Sequence, residues 1–182
     1  MRLRDGEVAP IFQVKDMFGL RCDMQEKREK LLMLCFFRYA SCPLCNLRVH
    51  ELIVNQEKFK DKLEIVMVFQ SPKEKIEQYV GKQVIPYKVI PDPARELYKL
   101  YKVEYSWIAF LRAWTLKIKN VFSALFKHGY LPGSVEGEIH RVPADFIIDT
   151  NGKIVKAFYG KDIGDHLPLD EIIKVIYSNE AR

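Results

Sequence analysis

The 182-residue chain predicts an α/β fold with a mixed central sheet flanked by helices. Three observations carry that prediction. Two continuous apolar runs, residues 31–37 and 63–69, have the length and flanks of strands buried on both faces. A helix signal follows each run. Late in the chain, two further apolar runs flank Asn151-Gly152, the strongest short signal for a β-hairpin.

The elements can be justified in order. Residues 8–24 read as an N-terminal hairpin turning at Asp16-Met17-Phe18-Gly19, with Ile11, Phe12 and Val14 before the turn and Leu20 and Cys22 after it. The run LLMLCFF is the first buried strand. A helix should start at Pro43, because proline fits the first helical position, and Cys42 then falls at the N-cap. The run LEIVMVF is the second buried strand. Ser71-Pro72-Lys73-Glu74 reads as a capping box, with Ser71 as the cap and Glu74 three residues on. Residues 87–90 are a third short strand and 93–101 a helix. Residues 107–128 are long and amphipathic: Trp107, Leu111, Trp114, Ile118, Val121, Phe122 and Leu125 share one face at helical spacing. Residues 144–149 and 153–159 form the late hairpin, and 170–177 the last helix. Early strand–helix–strand units imply a parallel core, to which the late hairpin adds antiparallel strands. No repeat or linker divides the chain, so residues 1–182 are expected to form one domain, with a helical insertion at about 106–128.

Composition narrows the function classes. Hydrophobic residues make up 48% and charged residues 29%, which excludes a wholly disordered chain. Four cysteines are too few for a disulfide-built scaffold. The net charge of +5 is concentrated: residues 105–135 hold Arg112, Lys117, Lys119 and Lys127 and no acidic residue. The first ten residues have no apolar signal region, and no run of about 18 apolar residues occurs, so a cytoplasmic location is expected. In a reducing compartment, closely spaced cysteines point to catalysis, redox sensing or metal binding.

Cys42-Pro43-Leu44-Cys45 is the sharpest chemical feature. It follows a buried strand and opens a helix. A thiol at a helix N-terminus meets unpaired N–H groups and the positive end of the helix dipole, and both favour thiolate. Cys42, at the start, is expected to be the more acidic and more exposed thiol and hence the nucleophile. Cys45, one turn on, faces the same side and can attack a mixed adduct on Cys42. Arg38 and Arg48 are placed to add positive potential. The competing readings are a zinc site, for which a second ligand pair is absent, and a structural pair. Cys22 and Cys35 fall in apparent strands as buried apolar residues.

A second feature is Arg141-Val142-Pro143 directly before the strand ADFIID. Strand, then C-x-x-C on a helix, then V-P before FIID-x-x-GKI resembles the thioredoxin fold. The stretch PADFIIDTNGKIVKAFYG, followed by Asp162-Ile163-Gly164-Asp165-His166-Leu167-Pro168, is similar to the peroxiredoxin-like alkyl hydroperoxide reductase/thiol-specific antioxidant (AhpC/TSA, redoxin) family. The resemblance covers about residues 8–176, apart from 107–128.

The resemblance implies that Cys42 is the reactive cysteine and Cys45 the resolving one. It implies that Pro143 is a cis-proline facing them, with Val142 offering its backbone to substrate. Arg38 and Arg141 become candidate substrate-positioning residues; Arg141 could equally pair with a surface carboxylate. Two departures stand out. The family's Pro and Thr or Ser, seven and three residues before the reactive cysteine, are replaced by Cys35 and Tyr39, so the hydroxyl that orients a peroxide is expected to be missing. The buried Asp of thioredoxins is replaced by Phe36, so a proton acceptor for Cys45 is expected to be missing too. His166 reads as a proton shuttle or a structural histidine. His50, His128 and His140 have no partner pattern.

The expected activity is thiol-dependent reduction of peroxides or disulfides, with no metal or organic cofactor. The reductant would be a thioredoxin-like protein or glutathione, the latter because the C-P-x-C spelling is nearer to glutaredoxins. The alternatives are a disulfide reductase without peroxidase activity and a non-catalytic redox sensor or binding module. No motif supports nucleic-acid binding. The apolar face of residues 107–128 is expected against protein, either its own sheet or a second copy in a homodimer, rather than against a membrane.

Overall fold

The computed structural model describes residues 1–104 and 133–180. The N-terminal hairpin forms where its alternation places it: β1 (Gln13–Lys15) and β2 (Arg21–Asp23) pair antiparallel, with Val14 opposite Cys22. Its turn is fixed by Asp16, whose carboxylate accepts the N–H groups of Phe18 and Leu20.

The apolar runs become the middle of a five-stranded sheet. β3 (Leu31–Phe36) is buried along its whole length, and β4 (Leu63–Phe69) runs parallel beside it. α1 (Pro43–Val54) makes the crossover between them. α2 (Lys73–Tyr79) leads to β5 (Lys88–Pro91), parallel to β4, and α3 (Glu96–Leu100) follows. β6 (Ala144–Ile148) and β7 (Ile154–Tyr159) form the late hairpin, and α4 (Leu169–Glu180) is the last helix. The strand order is β5-β4-β3-β6-β7, with β6 antiparallel to both its neighbours. Gly152 sits at φ +80° in the Asn-Gly turn, a conformation that glycine adopts without a steric penalty.

Side chains alternate across this sheet, so two apolar layers form. Met33, Cys35 and Phe37 face one cluster with Val49 and Leu52 of α1 and Ile172 and Ile176 of α4. Leu32, Leu34 and Phe36 face the other, with Tyr98, Tyr101 and Phe146. Phe36 meets Tyr98 and Phe146 edge-on, at centroid separations of 5.2 and 5.9 Å. Edge-on aromatic pairs add about 0.5–1.5 kcal/mol beyond their buried area.

Two local expectations need correction. Ser71 does not cap α2: the N-cap position is Pro72 and has no side-chain cap bond. The Ser71 hydroxyl is instead drawn into tertiary contacts: it accepts the Ala40 N–H at 2.8 Å and donates to Glu136 at 2.9 Å. α3 starts later than the pattern suggests. Its first turn is held by Asp92, whose carboxylate accepts the N–H groups of Glu96 and Leu97. The expected helix at 107–128 lies outside the described residues.

Candidate active site

The parallel topology delivers the end of β3 directly to the start of α1. Between them, Tyr39-Ala40-Ser41-Cys42 makes a turn in which the Tyr39 carbonyl accepts the Cys42 N–H at 3.1 Å. Cys42 is the N-cap of α1 in extended conformation, and Pro43 occupies the first turn. The Asn46 side-chain amide braces the turn from inside the helix, donating to the carbonyls of Ala40 and Cys42 at 2.7 and 3.1 Å. The loop that carries Cys42 is therefore tied on three sides, to its own helix, to Ser71, and to residues 134–139.

That last tie is a strap. Residues 134–139 cross the loop, held by the Ser41 hydroxyl donating to the Ser134 carbonyl at 2.7 Å and by Gln70 exchanging two hydrogen bonds with Glu138. Gly137 lies at φ +77° where the strap meets Gln70, and an added Cβ would come within 2.8 Å of the Gln70 side chain. Arg38 joins strap to thiol: one guanidinium nitrogen donates to Cys42 Sγ at 3.2 Å and the other to the Ile139 carbonyl.

The electrostatics separate the two cysteines. Burial pushes the Cys42 thiol up. It is more than offset by a hydrogen bond from Cys45, the Arg38 charge and the N–H groups of Cys45 and Leu44, and the pKa falls to about 5. Burial and the neighbouring Cys42 charge push Cys45 well above its ordinary value. The surroundings thus favour the thiolate at Cys42 and the protonated thiol at Cys45. Arg38 makes the same case from the other side. It is 2% exposed, and among the described residues no carboxylate forms an ion pair with it. A charge buried without a countercharge costs several kcal/mol, about what a thiolate at Cys42 offsets. The expected order of acidity holds, but the expected difference in exposure does not: Cys42 and Cys45 are 1% and 2% exposed.

A second polar cluster lies on the same face of the sheet. Asp145 stands opposite Cys35 in the β3–β6 register and is fully buried. His166 Nδ1 is 3.1 Å from both carboxylate oxygens, and the Leu167 N–H donates to Asp145 at 2.6 Å. Burial would push the Asp145 carboxyl up, yet His166 and Arg48 hold it below its ordinary value. The Phe37 ring lies between this cluster and the rest of the core, 4.9 Å from the His166 ring and stacked at 4.7 Å on Phe69.

The other predicted residues are distributed as follows. Arg48 does not reach the thiol: it donates to the Leu167 carbonyl and to Glu51, linking α1 to the Asp145 cluster. Arg141 donates to the Val103 carbonyl and pairs with Glu138, the carboxylate reading of the two considered. Val142–Pro143 is not a cis bond, because every peptide among the described residues is trans, the form that X–Pro bonds favour by about 0.5–1 kcal/mol. The Val142 N–H is engaged by the Glu104 carbonyl, and the Pro143 carbonyl by the Gly160 N–H. Cys22 and Cys35 are buried in strands, and all four cysteines are free thiols.

In the sequence Asp145 shows only as part of a strand, and Ser71 has the spacing of a cap. The hydroxyl expected to be missing three residues before Cys42 is present on Tyr39. The Arg38 guanidinium lies over the Tyr39 ring, 4.9 Å from its centroid.

Comparison with known proteins fixes the family. The model of the AhpC/TSA family matches residues 6–157. The chain belongs to the AhpC/TSA family. A curated Mycobacterium tuberculosis protein, named provisionally as a peroxiredoxin, is 25% identical over 167 residues, 91% of each chain. Solved structures agree in fold. Peroxidoxin BcpB from Mycobacterium tuberculosis superposes with a TM-score of 0.68 at 13% identity, covering 99% of this chain and 98% of that one. Reduced 2-Cys peroxiredoxin from Plasmodium vivax gives 0.69 at 14%, covering 98% of each. A chain from Chlorobium tepidum described as a thiol:disulfide interchange protein, DsbE, gives 0.64 at 18%, covering 97% of each. The fold is thus the thioredoxin-like fold of the peroxiredoxins, and the family is one of thiol-dependent oxidoreductases. Among the described residues, no helix is long and apolar enough to cross a membrane.

Proposed function

We propose that this AhpC/TSA member reduces hydroperoxides, with Cys42 as the attacking thiolate and Cys45 as the resolving thiol. The observation that carries the reading is the Arg38 guanidinium 3.2 Å from Cys42 Sγ at the start of α1. A thiolate made stable there is the nucleophile that O–O cleavage needs. Cys42 attacks one peroxide oxygen. The S–O bond forms, the O–O bond breaks, and the cysteine becomes a sulfenic acid. Cys45 then attacks that sulfur, and the departing hydroxide takes the Cys45 proton and leaves as water. A Cys42–Cys45 disulfide remains for an external thiol, a thioredoxin-like protein or glutathione, to open.

Arg38 holds the thiolate and positions the substrate. Val142, Pro143 and Arg141, whose polar groups serve the chain itself, have no substrate contact in this scheme. The strap supports a small substrate: with Cys42 at 1% exposure beneath residues 134–139, a hydroperoxide fits the opening step better than a protein disulfide does. The second reading, a disulfide reductase, is favoured by the C-x-x-C spacing with its nucleophile acidic and its partner thiol protonated. Steady-state assays with hydrogen peroxide and with a disulfide substrate, under one reductant, separate the two. Turnover of peroxide supports the proposal; turnover of the disulfide alone replaces it with the second reading.

A further inference from the structure

We propose that Tyr39 is the proton donor to the leaving oxygen when Cys42 cleaves a hydroperoxide, so that Tyr39, Arg38 and Cys42 form one reacting unit. This role rests on the peroxidase reading above and supplies the group that completes O–O cleavage.

The geometry brings a phenol and a thiolate onto one guanidinium. The Arg38 carbon lies 4.9 Å from the Tyr39 ring centroid, while its Nη1 is 3.2 Å from Cys42 Sγ. The turn from Tyr39 to Cys42 is closed by its own backbone hydrogen bond, so the two residues share one short closed loop. Tyr39 is 8% exposed and packs in the cluster that contains Cys42, Cys45 and Leu44. Among the described residues, the serine hydroxyls tied to the loop are committed. Ser41 donates to Ser134, and Ser71 donates to Glu136 while accepting from Ala40.

The chemistry suits the position. Thiolate attack on HO–OR forms the S–OH group and releases RO⁻, which must gain a proton. Burial, reinforced by the Cys42 charge and opposed by Arg38, raises the Tyr39 phenol to about 12. It therefore stays protonated across physiological pH. It is still more acidic than water, so transfer to a departing hydroxide runs downhill. The phenolate formed sits against the Arg38 charge and is reprotonated by solvent. Arg38 thus serves the thiolate before the O–O bond breaks and the phenolate after it.

The test compares two electrophiles on the same thiolate. Hydrogen peroxide needs a proton for its leaving group; iodoacetamide, which releases iodide, does not. Tyr39→Phe keeps the ring beneath Arg38 and removes only the hydroxyl. The expected result is a drop of about 100-fold in the rate of Cys42 oxidation by hydrogen peroxide, within the range for positioned proton donors, with the rate of Cys42 alkylation by iodoacetamide unchanged. Equal slowing of both reactions would reduce Tyr39 to a structural role, and no slowing of either would remove it from the reaction. Both results overturn the inference. A wild-type protein that turns over a disulfide but not peroxide overturns it together with the peroxidase reading. A wild-type protein that reacts with peroxide no faster than Tyr39→Phe overturns this inference alone.

Discussion

Cys42, at the start of α1, and Cys35, inside β3, pack in the same apolar cluster, both essentially without solvent contact, yet they are opposite in chemistry. Cys42 is drawn down in pKa to about 5, whereas Cys35 is pushed well above its ordinary value by burial and then by the Asp145 charge. Desolvation acts on both in the same direction. What differs is the sign of the neighbour and the backbone around it. Cys42 sits at a helix start beside a guanidinium, with N–H groups pointing at it. Cys35 sits mid-strand, its backbone spent on the ladder, opposite a carboxylate. In this family member burial does not silence a thiol. It magnifies whatever charge stands next to it, because low dielectric strengthens both attraction and repulsion.

The comparison can be broken most severely at Cys42 itself. Cys42→Ser should abolish peroxide consumption, whereas Cys45→Ser should permit one stoichiometric oxidation of Cys42 and then stop, leaving a sulfenic acid that trapping reagents and mass spectrometry detect. Continued turnover in Cys42→Ser would show that another thiol is the nucleophile.

A smaller effect is expected at Arg38. Arg38→Met keeps bulk and removes charge. A charge-assisted hydrogen bond is worth about 1.5–3 kcal/mol, so the Cys42 pKa should rise by about one to two units. Ultraviolet thiolate absorbance against pH reads that shift directly. An unchanged titration would mean that the helix start and Cys45 hold the thiolate alone.

Asp145 tests the other half of the contrast. Asp145→Asn should cost about 1–3 kcal/mol in denaturant unfolding, because the buried His166 ring and Leu167 N–H lose a charged acceptor. The pH dependence has a defined sign. Asp145 has its folded pKa depressed below 3.8, so its stabilisation is fully present above that value and is lost as pH falls through the lower folded value. The variant should lack that acid-side loss, and its Cys42 titration should match the wild type. A shifted Cys42 titration would couple two sites that the structure keeps separate.

The smallest effect belongs to Cys35→Ala, which should leave peroxide turnover unchanged. Peptide mapping after mild oxidation should find the Cys42–Cys45 bridge alone, and a bridge to Cys35 would contradict its mid-strand burial.

Much of this frame is legible in the chain. The runs LLMLCFF and LEIVMVF announce two-faced strands, Asn151-Gly152 announces the hairpin, and Pro43 announces where α1 begins. The pair Cys42 and Cys45 is therefore placed at a helix start by local signals alone. What sequence could not supply is the sign of each thiol's surroundings. Cys35 meets Asp145 only through the register of β3 against β6, two strands far apart in the chain. Ser71 looks like a cap because local spacing says so, but the Ala40 N–H, from a turn on another strand's end, claims its oxygen. Arg38 stands four residues before Cys42, and only the turn closed by Tyr39 folds its guanidinium back onto the sulfur. The trans Val142–Pro143 bond is a reminder that a family resemblance carries a chain's topology further than its backbone isomers.

The most direct measurement of the central claim, that Arg38 and the helix start make buried Cys42 the reactive thiolate, is the rate of Cys42 alkylation in the wild-type protein against pH, read peptide by peptide with mass spectrometry. The account predicts a half-maximal rate near pH 5, with Cys35 and Cys45 unlabelled over the same range. A half-maximal rate near 9.0, the ordinary thiol value, or labelling of Cys45 ahead of Cys42, would contradict it.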